Sequence, residues 1–300
     1  MIRLVRVFVN ISSEDTALNA LRGRPAVNVD RIFRRALHVL MTLTAFMYTV
    51  SAYSSPTVVQ DVKSSDTRTP LVALASSFRS VWPVLMDVYQ EDPNNRPPSV
   101  SFGSSGLLST QILRGAPFEL FLSADQRSVT QIMEAGKTQS APIALASGTL
   151  SLVTLSETNS LSDGAPAFVW IRELMAMGSS LKIAIPNPRH APYGIAAQQA
   201  LTTAGLWPIP RGSLLNAENA SQALQYVLSG AASIAIVPTT LVTQVPFDIN
   251  ISTIDAGTYE PVIHHLAILA PAGDSARKLS HWLKTPRALD IMMQFGLAAP

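Results

Sequence analysis

The sequence predicts an α/β fold with a mostly parallel sheet, on three observations. Short apolar runs such as Leu71-Val72-Ala73-Leu74-Ala75 alternate with helical stripes, the pattern of strands laid side by side with helices on their faces. Two serine-bearing turns, Ala75-Ser76-Ser77-Phe78 and Phe102-Gly103-Ser104-Ser105-Gly106, each follow an apolar run and open a helical pattern. Such turns belong at the carboxyl edge of an α/β sheet, where ligands bind. Finally, 300 residues at 47% apolar content are enough for one large domain or two ordinary ones.

The elements follow in order. Leu71–Ala75 reads as a buried strand, followed by a helical stripe at Phe78, Val81, Trp82, Leu85, Val88 and Tyr89. Pro83 inside that stripe should kink its first turns or delay the regular helix. Asp92–Pro98 is a loop, Val100–Phe102 a second strand, and Leu107, Leu108, Ile112 and Leu113 mark a helix ending at Gly115. Glu119–Ser123 is a third strand, and Val129–Ala135 a helix stopped by Gly136. Leu150–Leu155 and Leu181–Ile185 are strands, Pro192–Ala204 and Asn219–Leu228 helices, and Ser233–Val237 another strand. His264–Leu269 is a last strand before a terminal helix, Ser275–Phe295.

The N-terminus has a separate logic. Arg31, Arg34 and Arg35 precede a largely apolar stretch of fifteen residues, Ala36–Val50, and Val50-Ser51-Ala52 offers small residues for cleavage. That is short of the ~20 residues a membrane span needs, so residues 1–52 are expected to be a cleaved signal peptide with a long head. Residues 53–68 are polar and expected to form a flexible leader. The net charge of +2 hides this division: removing seven Arg and three acids of residues 1–52 leaves 15 basic against 17 acidic residues. Anion binding by the mature chain must therefore rest on local geometry rather than a basic surface. The chain has no cysteine, which excludes disulfides, thiol chemistry and a lipidated cysteine anchor.

An anion held without a counter-ion needs donors converging from several directions, and helix N-termini supply oriented N–H groups with partial positive charge. Four turns qualify: Ser76-Ser77, Ser104-Ser105, Pro192-Tyr193-Gly194 and Asn219-Ala220-Ser221. Asp125 is read as a structural cap, because a carboxylate facing an anion would repel it. Arg189 and His190 are read as surface or interlobe residues. His264 and His265, adjacent on a strand, should point to opposite faces and make no metal cluster.

Together with Gly115-Ala116-Pro117-Phe118-Glu119-Leu120-Phe121-Leu122-Ser123-Ala124-Asp125-Gln126, the serine turns make the chain resemble the periplasmic molybdate-binding proteins of ABC importers, type II periplasmic-binding proteins, from about Leu71 to Leu297. The resemblance implies a two-lobed α/β fold of mixed sheets flanked by helices, with two hinge crossovers. Residues 69–148 and 251–300 would form lobe I and 149–250 lobe II, closing on the ligand. It also implies the site. Ser77 and Ser105 match the family's binding serines, Tyr193 the residue before glycine in Asn187–Gly194, and Ala220 a backbone donor; Ser76, Ser104 and Asn219 are secondary candidates. One branch of the family carries its binding tyrosine where this chain has Val237-Pro238-Thr239. This chain resembles the other branch, and Tyr193 is expected to substitute.

The resulting expectation is a periplasmic solute-binding protein that captures molybdate, and tungstate with it, and delivers it to an ABC permease. It would be a monomer and no enzyme, with no cofactor, molybdenum entering only as the molybdate oxyanion. A receptor for another oxyanion, mainly tungstate or else sulfate, is the near alternative. A serine hydrolase using Ser77 or Ser105 with His190 is the distant one. Gly-x-Ser-x-Gly, Walker A, Gly-x-Gly-x-x-Gly and His-Glu-x-x-His motifs are absent, and no basic, aromatic-interleaved patch suggests nucleic acid.

Overall fold

A computed structural model describes residues 69–156, 167–176, 181–246 and 248–300. The expected signal peptide and leader lie outside the described residues. Two mixed sheets organise the rest. The first has the order β11-β4-β10-β3-β1-β2, built from β1 (Leu71–Ala75), β2 (Ser99–Gly103), β3 (Leu120–Ser123), β4 (Ile143–Gly148), β10 (Val262–Ile268) and β11 (Leu297–Ala298). The second has the order β7-β6-β8-β5-β9, from β5 (Leu150–Leu155), β6 (Ile183–Pro186), β7 (Leu214–Ala217), β8 (Ile234–Pro238) and β9 (Ile249–Thr253). β1 runs parallel to β2 and β3, and β6 parallel to β7 and β8, while β10 and β5 run antiparallel to their neighbours.

The chain crosses between sheets twice, from β4 to β5 and from β9 to β10. The return lies later than the expected boundary at residue 251. Ile249–Thr253 pairs antiparallel with β5 along its whole length, so the second lobe keeps the chain through Thr253. The crossovers are tied together: the Leu150 N–H of one donates to Tyr259 Oη of the other at 3.1 Å.

Helices α1 (Val81–Tyr89), α2 (Ser105–Leu113), α3 (Gln126–Glu134), α4 (Ala167–Ala176), α5 (Pro192–Thr203), α6 (Ala220–Leu228), α7 (Asp274–Trp282) and α8 (Pro286–Gln294) flank the sheets. Pro83 delays α1. A 3-10 turn, Ser76–Phe78, leaves β1, and the α-helix begins only at Val81. Proline is then in the first turn, where it removes no intrahelical bond. The first serine turn is therefore not an α-helix N-terminus. The expected single helix 275–295 is also two. Thr285 is extended, as a residue before proline prefers, and its Oγ1 accepts from the Ala288 N–H to start α8 at Pro286. No helix among the described residues is long and apolar enough to cross a membrane.

Candidate functional site

The strand ends bring the serine turns together. Ser76 and Ser77 leave β1, Ser104 caps α2, and Ser105 is its first residue. Tyr193 follows Pro192 at the start of α5, and Ala220 is the first residue of α6. Ser76, Ser77, Ser104, Ser105, Tyr193 and Ala220 line one cavity, together with Ala75, Gly103, Ala124, Ala191 and Pro192. No carboxylate is in this lining. The cavity is small, its free volume about 10 Å³, close to what one water needs. Asn219 does not join it: its Oδ1 accepts from the Gln222 N–H at 3.1 Å, capping α6.

Hydrogen bonds between the lobes close the cavity. The Ala220 N–H donates to Ser76 Oγ at 3.0 Å, and Ser221 Oγ donates to the Ser76 carbonyl at 3.2 Å. Ser104 Oγ and His190 Nδ1 are hydrogen-bonded at 2.8 Å, and the Gly106 N–H donates to the His190 carbonyl at 3.0 Å. Arg79, its guanidinium over the Phe102 ring at 4.4 Å, donates from Nε to Ser221 Oγ at 3.1 Å. Thr240 Oγ1 donates to the Ser77 carbonyl at 2.6 Å. His190 thus has the interlobe role expected of it, whereas Arg189 is exposed. Pro238 and Thr239 are absent from the lining.

The hydroxyls are held from behind. Ser105 Oγ accepts from the Ala124 N–H at 2.8 Å. Asp125 caps α3 by accepting from the Ser128 N–H and Oγ. Ser77 Oγ lies 3.1 Å from His264 Nε2, which is also 3.4 Å from Tyr193 Oη. Burial, and then Tyr259, raise the Tyr193 pKa, so its hydroxyl keeps its proton and can donate. Burial holds His190 below the usual imidazole range, against an upward pull from Glu218. Burial pushes His264 down to about 4, with the Ala146 backbone opposing and His265 assisting. His264 Nδ1 makes no hydrogen bond.

His264 is the residue that the sequence did not reveal. Alternation on a strand predicts opposite faces for His264 and His265; both are buried, His264 against Ser77 and Tyr193. No local pattern marks His264 as a neighbour of Ser77. The proposed Ser–His190 hydrolase pairing also fails in its stated form. His190 meets Ser104 rather than Ser77 or Ser105, and the histidine on Ser77 has no carboxylate to orient its Nδ1, which a serine–histidine nucleophile needs. Among the described residues no three His, Cys, Asp or Glu side chains gather to hold a metal ion.

Comparison with known proteins agrees with this fold. Residues 70–298 match the family model described as bacterial extracellular solute-binding protein. The molybdate-binding protein ModA of Azotobacter vinelandii is 28% identical over 234 residues, spanning 75% of this chain and 88% of that protein. ModA of Rhodobacter capsulatus is 28% identical over 207 residues, 65% of this chain and 75% of that protein. The solved A. vinelandii periplasmic molybdate-binding protein superposes with a TM-score of 0.67 at 26% identity, covering 77% of this chain and 99% of that one. The sulfate-binding protein SubI of Mycobacterium tuberculosis H37Rv shares the fold, with a TM-score of 0.61 at 14% identity over 77% of this chain and 86% of that one. With two mixed sheets, two crossovers and a cavity lined by donors from both lobes, the chain belongs to the bacterial extracellular solute-binding proteins.

Proposed function

We propose that this chain captures molybdate between its two lobes and delivers it to the membrane permease of an ABC transporter. Tungstate, almost the same size, would be carried with it. The observation that carries the reading is the cavity itself: four serines, Tyr193 and Ala220 line it from both lobes, with no carboxylate among them. Ser77, Ser105, Tyr193 and Ala220 are the primary ligands, and Ser76 and Ser104 complete the ring. The likeness to molybdate-binding proteins of two bacteria supports molybdate as the cargo.

Neutral donors can hold a dianion here because a dry, closed cleft strengthens each hydrogen bond. Entry of the anion exchanges interlobe bonds, such as Ala220 N–H to Ser76 Oγ, for bonds from both lobes to the same oxyanion. Closure thereby reports occupancy to the permease. A ring sized for molybdate leaves gaps around sulfate. No bond is broken, so the protein acts as a receptor rather than an enzyme and uses no cofactor. It would work as a monomer in the periplasm, exported by its N-terminal signal.

Calorimetric titration with molybdate, tungstate, sulfate and phosphate at one salt concentration tests this. One-to-one binding of the first two, with the others silent, is the expected result. Equal binding of sulfate or phosphate would keep the oxyanion receptor and overturn the named cargo. No heat from any of the four, on folded protein, would overturn the reading.

A further inference from the structure

Two serines of the cavity are oriented by donors that have no choice. Backbone N–H groups give their protons to Ser76 Oγ and Ser105 Oγ, so a lone pair of each oxygen is engaged, that of Ser76 from across the cleft by Ala220 and that of Ser105 from behind by Ala124. Each hydroxyl keeps its own proton for the cavity. Ser77 is held differently, by His264 Nε2, which also faces Tyr193 Oη.

An imidazole nitrogen can donate or accept, and that choice sets both hydroxyls. With the proton on Nε2, Ser77 and Tyr193 accept from it and turn their own protons into the cavity. With the proton on Nδ1, the bare Nε2 draws a hydroxyl proton inward, and an oxygen lone pair is left facing an anion.

We propose that His264 is a positioning residue for oxyanion capture: as the neutral Nε2–H tautomer it donates to Ser77 and Tyr193 and commits both hydroxyl protons to the bound anion. The proposal rests on the reading of the cavity as a molybdate site. Three further observations support it. His264 is 1% exposed, so solvent does not scramble the arrangement. Its Nδ1 has no partner within hydrogen-bond geometry, the Ala146 backbone acting on the ring without forming such a bond, and a buried N–H left unpaired is rarer than an unpaired acceptor. Among the described residues no carboxylate acts on the ring to stabilise an imidazolium. The titratable groups facing it are Tyr193 of α5 and His265 of its own strand. β4 and the Ser76–Phe78 turn contain no ionisable residue, and Phe78 packs edge-on against the ring at 4.9 Å.

The test titrates the protein with molybdate at about pH 7.5 in two buffers of different ionisation enthalpy, which counts protons taken up on binding. It adds the variants His264→Gln and His264→Leu, and ¹⁵N spectra of the imidazole in the molybdate-loaded protein. Near-zero proton uptake is expected, with Nε2 protonated and Nδ1 bare. His264→Gln, which retains an N–H donor, should bind within about threefold of wild type, while His264→Leu loses about 10- to 100-fold. Uptake of one proton per anion, an Nδ1–H tautomer in the loaded protein, or wild-type affinity in His264→Leu would each overturn the proposal. If the variants fail to fold, the proton count and the spectrum of the wild-type protein still decide. Absence of molybdate binding by the wild-type chain would instead overturn the reading of the cavity, and this proposal with it.

Discussion

Tyr193 leaves no room for a side chain at Gly148: a Cβ there would collide with the tyrosine hydroxyl. Gly148 ends β4 in the first lobe, and Tyr193 opens α5 in the second. A cavity hydroxyl of one lobe is thus seated on bare backbone of the other, beside the crossover.

Gly148→Ala should therefore displace Tyr193 or part the lobes, because Tyr193 is fully packed and has nowhere to swing. The expected loss of molybdate affinity is about tenfold or more by calorimetry, with the melting transition retained. Tyr193→Phe removes a donor and should cost about 1–3 kcal/mol of binding. The double variant should lose less than the sum, since Phe also lacks the oxygen that the new Cβ strikes. Strict additivity would show that the two residues do not communicate through this contact.

Ser105→Ala and Ser77→Ala should separate binding from stability. Both variants lose a cavity hydroxyl and should bind molybdate more weakly by about 1–3 kcal/mol. Ser105→Ala also strands the buried Ala124 N–H, which donates to Ser105 Oγ. It should lose a further 1–3 kcal/mol or so of unfolding free energy in urea. Ser77→Ala leaves His264 Nε2 with Tyr193 still beside it and should unfold at a higher urea concentration than Ser105→Ala. Identical midpoints would contradict this account.

His264 makes folding pH-dependent. Burial holds its pKa down at about 4 in the folded protein, whereas an unfolded histidine titrates near ~6.5. Between those values the unfolded chain binds the extra proton. The stabilisation is complete above about pH 6.5, declines as pH falls, and is exhausted below about pH 4. The span sets the loss at about 3 kcal/mol. Urea unfolding at about pH 7.5 and about pH 4.5 should show a steeper decline for wild type than for His264→Gln, which cannot titrate. Parallel declines would mean that this imidazole is accessible to protons in the folded protein.

Much of the fold was legible because strands and helices announce themselves within a few residues. β1 is a continuous apolar run, Asp125 is the cap its position suggests, and the serine turns fall at strand ends. The division of the C-terminal helix was not read from the sequence, although Thr285-Pro286 carries its signal, because a residue before proline leaves the helical region. Asn219 illustrates the limit at the site. It is one residue from Ala220, yet its side chain is used in capping, and spacing alone does not tell a cap from a ligand.

By itself the sequence determined the α/β class, the order of most elements and the placing of hydroxyl-bearing turns at strand ends, since these depend on periodicity and capping over short stretches. Tertiary structure alone decided that β9 stays with the second sheet through its pairing with β5, and that His264 stands behind Ser77. Those two residues are 187 positions apart. Their meeting depends on β10 inserting between β3 and β4, long-range pairings whose partners leave no mark in the local sequence.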